Sequence, residues 1–75
     1  MNRNSLLKQH NMLLEYLRAY IATNGYPPSR AEMAAAMDRS VATISDQLIT
    51  LEHFGWIMRR NGWLYVWGVK KESAA

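Results

Sequence analysis

The 75-residue chain contains no cysteine, which excludes disulfides and thiolate metal sites. Histidine is nearly absent too. His10 and His53 stand far apart, neither within an Asp/Glu cluster, so no metal site is expected. No apolar run approaches the roughly 20 residues that span a bilayer. The first ten residues lack the apolar stretch of a signal peptide. A cytoplasmic protein with no membrane partner is therefore expected. Nothing resembles a catalytic constellation: there is no nucleophile beside a base, no carboxylate pair and no phosphate loop. Neither an enzyme nor a cofactor or small-molecule ligand is expected. Glycine and proline are sparse, at four and two residues, so each can be read as punctuation.

What remains is a short, half-hydrophobic chain, which suits one folded domain with a small core. The domain is expected over residues 1–68, with residues 69–75 a frayed tail. The net charge is +3, and its placement matters more than its size. Residues 1–54 balance Arg3, Lys8, Arg18, Arg30 and Arg39 against Glu15, Glu32, Asp38, Asp46 and Glu52. The excess comes from Arg59, Arg60, Lys70 and Lys71 against Glu72. A local basic patch fits a polyanion partner, and equally an ordinary solvated surface.

The periodicity predicts three helices. Leu6, Leu13, Leu14, Leu17 and Ile21 make one apolar face over residues 5–24, with Asn4 or Ser5 as cap and Asn24-Gly25 as stop. Tyr26-Pro27-Pro28 forces an extended connector. Ser29-Arg30-Ala31-Glu32 spells a capping box for a second helix to about Met37, with Met33 and Met37 turned inward. After a short Asp38-Arg39 turn, Ser40 caps a third helix over residues 41–53. Its buried stripe is Ile44, Leu48 and Leu51, and Gly55 ends it. The period then changes to that of a strand. Residues 56–60 and 63–67 flank Asn61-Gly62, a two-residue type I′ hairpin signal. That turn sets Arg60 opposite Trp63, Arg59 opposite Leu64, Met58 opposite Tyr65, Ile57 opposite Val66 and Trp56 opposite Trp67. The predicted class is α+β, mostly α: a winged helix-turn-helix of three helices and a two-stranded β-hairpin wing.

The string Tyr26-Pro27-Pro28-Ser29-Arg30-Ala31-Glu32-Met33-Ala34 resembles the start of the helix-turn-helix in the N-terminal domain of LexA-type repressors. Residues 40–45, Leu51-Glu52 and Gly55-Trp56-Ile57 are similar, more generically, to the recognition helix and wing entry of MarR-like winged helices. The resemblance covers about residues 6–67. It implies a winged-helix fold, duplex DNA binding and contacts from Ser40, Ala42, Thr43, Ser45 and Asp46. Two departures stand out: the turn before the recognition helix is one residue shorter than usual, and Ala42 occupies the place of a contacting asparagine. Self-cleaving serine–lysine chemistry is not implied, because these 75 residues leave no room for it.

A major groove admits an α-helix whose short polar side chains read base edges. With its stripe buried, the third helix turns out Ala42, Thr43, Ser45, Asp46, Ile49 and Thr50, with Gln47 at the margin. Asp46 could accept from cytosine N4, Gln47 could pair with adenine, and Ala42 could touch a thymine methyl. This helix has neither Lys nor Arg, so phosphate anchoring falls to Ser29, Arg30, Arg39, Arg59, Arg60 and Asn61. Arg59 is expected on the inner face beside Leu64, reaching outward near the tip.

The other hairpin face carries Trp56, Met58, Tyr65 and Trp67. A homodimer contact, cover by the N-terminal segment or Val69, and stacking of single-stranded bases all remain open for it. Two expectations of function follow. The first is a sequence-specific DNA-binding transcriptional regulator acting as a homodimer, from a phage or plasmid since no sensor domain accompanies it. The alternative is a winged-helix adaptor that binds protein through the aromatic face. They divide on whether Arg59, Arg60 and Thr43 share one surface.

Overall fold

The computed structural model describes residues 8–67. Helix α1 (Lys8–Asn24) is followed by α2 (Arg30–Met37), α3 (Val41–His53), β1 (Ile57–Arg60) and β2 (Trp63–Val66). The helix boundaries agree with the sequence expectation where both can be compared; the strands, expected over 56–60 and 63–67, are each one residue shorter at the open end of the hairpin. The proposed caps Asn4 and Ser5, Leu6 and the tail 69–75 lie outside the described residues.

Helix α1 buries Leu13, Leu14 and Leu17. Ile21, expected on the same face, is only half-buried. The Gly25 N–H donates to the Ile21 carbonyl (2.8 Å) and closes the helix. At α2 the capping box forms as spelled: the Glu32 N–H donates to Ser29 Oγ (3.0 Å) and the Ser29 N–H to Glu32 Oε1 (2.8 Å). Glu32 is also the anchor of a ring cluster. The Tyr20 hydroxyl donates to its carboxylate at 3.3 Å. Tyr20 itself stacks edgewise on Tyr26 and at a tilt on Tyr16, each at 5.9 Å between centroids. These contacts tie α1 to the Tyr26-Pro27-Pro28 connector and fix where α2 begins.

Asp38 ends α2 in the left-handed conformation, φ 58, a region that an aspartate tolerates better than most residues. Ser40 then caps α3, accepting from the Thr43 N–H at 3.1 Å. Helices α2 and α3 pack on each other with α1 across both. The core cluster gathers Leu13, Leu14, Leu17, Met33, Ala34, Ile44, Leu48 and Leu51 with Ile57 and Leu64 from the hairpin.

The hairpin has the predicted register, Ile57↔Val66 through Arg60↔Trp63. Asn61 and Gly62 both have positive φ (54 and 77), as a type I′ turn requires. Alternation puts Ile57 and Leu64 against the helices and exposes Met58, Trp63 and Tyr65.

Trp56 departs from the expectation. It lies before β1 and packs half-buried against the core. The cause is how α3 stops. Gly55 (φ 84) donates to the Glu52 carbonyl and the Trp56 N–H to the Leu51 carbonyl, each at 3.0 Å. This is a Schellman motif, which turns the residue after the glycine back onto the helix's last turn. Strand alternation therefore does not govern Trp56. Its carbonyl still accepts from the Trp67 N–H (3.0 Å), so the ladder gains a rung beyond the strands. Arg18 holds this base from α1. Its Nε donates to the Trp67 carbonyl (3.0 Å), its guanidinium lies 5.9 Å from the centre of the Trp56 ring, and Glu15 pairs with it at 2.6 Å.

Candidate nucleic-acid interface

The outward side of α3 is a strip with two flanks. At 100° per residue, Ala42 and Ile49 run down its middle, Ser45 lies toward one flank, and Asp46 and Thr50 toward the other. Ile49 is 55% exposed, and Ala42 and Asp46 are exposed. Ser45 is half-buried. An apolar centre with polar edges suits thymine methyls and base-edge donors or acceptors.

Hydrogen bonding limits what the hydroxyls can do. Ser40 Oγ accepts from the Thr43 N–H and donates to Thr43 Oγ1 (3.1 Å). Its donor and one acceptor position are thus spent on the cap. Thr43, accepting from Ser40, keeps its own proton for an acceptor outside the chain. Thr50 donates back to the Asp46 carbonyl (3.2 Å).

Gln47 requires a correction. It is 8% exposed and does not stand on the outward arc. It comes three residues after Ile44 and four before Leu51, so helical geometry puts it in the buried stripe itself. Among the described residues its Oε1 has no hydrogen-bond partner. It lines a cavity of about 40 Å³ with Met12, Met37 and Arg39. Adenine pairing by Gln47 would require this part of the core to open.

The wing flank holds the cations. A groove of about 560 Å³ runs between the start of α2, the second half of α3 and the hairpin tip, and Arg30, Arg59, Arg60 and Asn61 all line it. Among the described residues, the side chains of Arg30 and Arg60 make neither ion pair nor hydrogen bond. Arg59 is engaged: its Nη2 and Nε both donate to Glu52 Oε1, at 2.9 and 3.2 Å. Thr43 does not line this groove; nine residues from Glu52, it sits half a turn away around α3. The tip arginines and Thr43 therefore edge the strip from opposite sides. Arg39 sits on the Gln47 side, its Nη1 donating to the Asp38 carbonyl at 3.4 Å. Ser29 is exposed at the start of α2, its backbone N–H and hydroxyl oxygen used by the capping box.

Sequence reasoning missed three residues that shape this surface. Trp63 lines the groove at the tip. Glu52 reaches it from α3, and Arg18 secures the hairpin base from 49 residues away. No local pattern announces a contact of that separation. The Glu52–Arg59 pair has a faint signal, since a cation on the inner hairpin face needs an anion to meet it. The expected aromatic face keeps Met58, Tyr65 and Trp67, which is 68% exposed; Trp56, half-buried against the core, still meets the Trp67 ring edge-on at 6.0 Å between centroids.

Three helices with a short turn between the second and third, an open third-helix face and a hairpin beside it define a winged helix-turn-helix domain. The chain belongs to the LexA DNA binding domain family, which it matches over residues 3–63. It is 37% identical over 57 residues to the LexA repressor of Mycolicibacterium smegmatis, covering 75% of this chain and 24% of that protein. It is 34% identical over 76 residues to the LexA repressor of Mycobacterium leprae, covering 96% of this chain and 32% of that protein. The chain thus spans about a quarter to a third of the length of these relatives.

Proposed function

We propose that this chain is a transcriptional regulator that binds double-stranded DNA sequence-specifically, with α3 in the major groove. The observation that carries this reading is the pairing of an open α3 strip with two uncommitted cations in the groove beside it. Ala42 and Ile49 supply methyl contacts, Asp46 accepts from a cytosine amino group, and Thr43 and Ser45 donate to base or phosphate. Arg30, Arg60, Asn61 and Ser29 hold one phosphate run, and Arg39 holds another. Family membership supports duplex DNA as the partner, and the relatives' name supports repression as the outcome. Two copies on half-sites one helical turn apart would multiply the few contacts of one module, so a homodimer on DNA belongs to the same proposal. The exposed Met58, Tyr65 and Trp67 favour a second reading, an adaptor that binds protein through this face.

The test is binding of duplex libraries by single variants. Thr43→Ala and Asp46→Ala are expected to change which sequences are preferred more than the general affinity. A uniform loss across sequences would refute base reading by α3. Binding unaffected by either variant, or by Arg30→Ala and Arg60→Ala, would move the site off this surface.

A further inference from the structure

The groove beside α3 contains an anion where a phosphate surface should have none. Glu52 is on the last turn of α3 and Arg59 is in the middle of β1, joined through Phe54, Gly55 and Trp56. Two guanidinium nitrogens converge on one carboxylate oxygen. Both side chains are about one third exposed (35% for Arg59 and 38% for Glu52). The pair is within reach of solvent and of a docked polyanion, and it crosses the only span that links wing to recognition helix in sequence. Arg60, the next residue, lines the same groove at the hairpin tip, and among the described residues its side chain makes neither ion pair nor hydrogen bond.

We propose that Glu52 is a wing clamp: it fastens Arg59 to the recognition helix, sets the angle of the wing, and withholds that arginine from DNA. This rests on the duplex-binding reading above and assigns different work to the two neighbouring arginines. Arg60 is the wing's phosphate cation. Arg59 is a positioning residue whose charge is already neutralised. The inner-face register makes this arrangement available: Arg59 opposite the buried Leu64 must run along the face of α3, and Glu52 is the carboxylate that α3 presents there.

Counterion release separates the roles. Each phosphate neutralised by a cation adds about 0.9 to the slope of log affinity against log salt. A single such contact changes the affinity lost between 50 and 200 mM salt by about 3.5-fold. Duplex titrations of the full chain at these salts are expected to give three results. Arg60→Ala loses about one contact's worth of slope. Arg59→Ala weakens binding at every salt with the slope unchanged. Glu52→Gln frees Arg59 and steepens the slope by about one contact.

The double variant Glu52→Gln with Arg59→Ala tests the coupling, since steepening must vanish without Arg59. If Glu52→Gln steepens the slope equally in both backgrounds, Glu52 acts by simple repulsion and the clamp is refuted. A shallower slope for Arg59→Ala, with none gained by Glu52→Gln, also refutes it. Hydrogen exchange of the hairpin amides in the free protein provides a readout independent of DNA. The clamp predicts faster exchange in β1 and β2 for Glu52→Gln and for Arg59→Ala, and unaltered exchange refutes it. If no form of the chain binds duplexes, the duplex reading fails while the exchange result still decides whether the pair holds the wing.

Discussion

Replacing Gly55 by alanine should destabilise the domain by a predictable amount through the backbone alone. Gly55 has φ 84, and a Cβ built there meets nothing within 4 Å. The cost is therefore the strain of an L-residue in the left-handed region, about 1–2 kcal/mol, with no added clash. For a domain of this size each kcal/mol lowers Tm by about 4–8 °C, so a fall of roughly 5–15 °C is expected. The two Schellman hydrogen bonds, from Gly55 to Glu52 and from Trp56 to Leu51, should survive, because the rest of the core keeps Trp56 seated. Thermal unfolding followed by near-ultraviolet circular dichroism reads both quantities, since the tryptophan bands report Trp56 packing. An unchanged Tm would mean that the connector does not hold this conformation. Loss of a cooperative transition would mean that the Cβ collides with something. Either result refutes the account of how α3 hands over to the wing.

Asp38→Gly should stabilise the domain by up to about 1 kcal/mol, because it relieves a left-handed aspartate and removes an anion from the carbonyl end of α2; a lower Tm in thermal unfolding would contradict this. Leu48→Ala should cost about 3 kcal/mol, since the side chain is fully buried at the α2–α3 contact, and chemical denaturation showing less than 1 kcal/mol would refute its place in the core. The Ser29 backbone N–H holds the Glu32 carboxyl below its usual range, with the Tyr20 hydroxyl adding to the effect against opposing desolvation. Its stabilisation is then present above the unfolded value and lost as pH falls through the folded one, so Glu32→Gln should flatten the acid limb of Tm against pH. Burial, then the Glu32 charge, pushes the Tyr20 phenol up to about 12. Its contribution is complete below pH 10 and lost between about 10 and 12, and spectrophotometric titration of Tyr20→Phe should remove the late phenol.

The fold was legible because its punctuation is unambiguous. Ser29 with Glu32, Ser40, Gly55 and Asn61-Gly62 each specify a local geometry that tertiary packing did not override, and the hairpin turn alone fixed every cross-strand pair. The site was legible in part. The outward strip of α3 follows from its buried stripe, yet polarity drew Gln47 to the surface although its spacing belongs with Ile44 and Leu51. Trp56 was assigned by alternation one residue too early, before the Schellman turn had released the chain into a strand. Arg18 and Glu52 have partners set by three-dimensional packing, across 49 and 7 residues, and periodicity carries no information about such pairs.

The central claim is that α3 reads duplex sequence while the flanking arginines hold phosphate. Selection of binding sites from a random duplex library, with the winners titrated at two salt concentrations, tests it most directly. The account predicts enrichment of a short motif, in pairs one helical turn apart if two copies bind together. It also predicts that Arg30→Ala with Arg60→Ala weakens all duplexes and reduces the salt slope by about two contacts. No enriched motif, or a slope indifferent to both arginines, would contradict it.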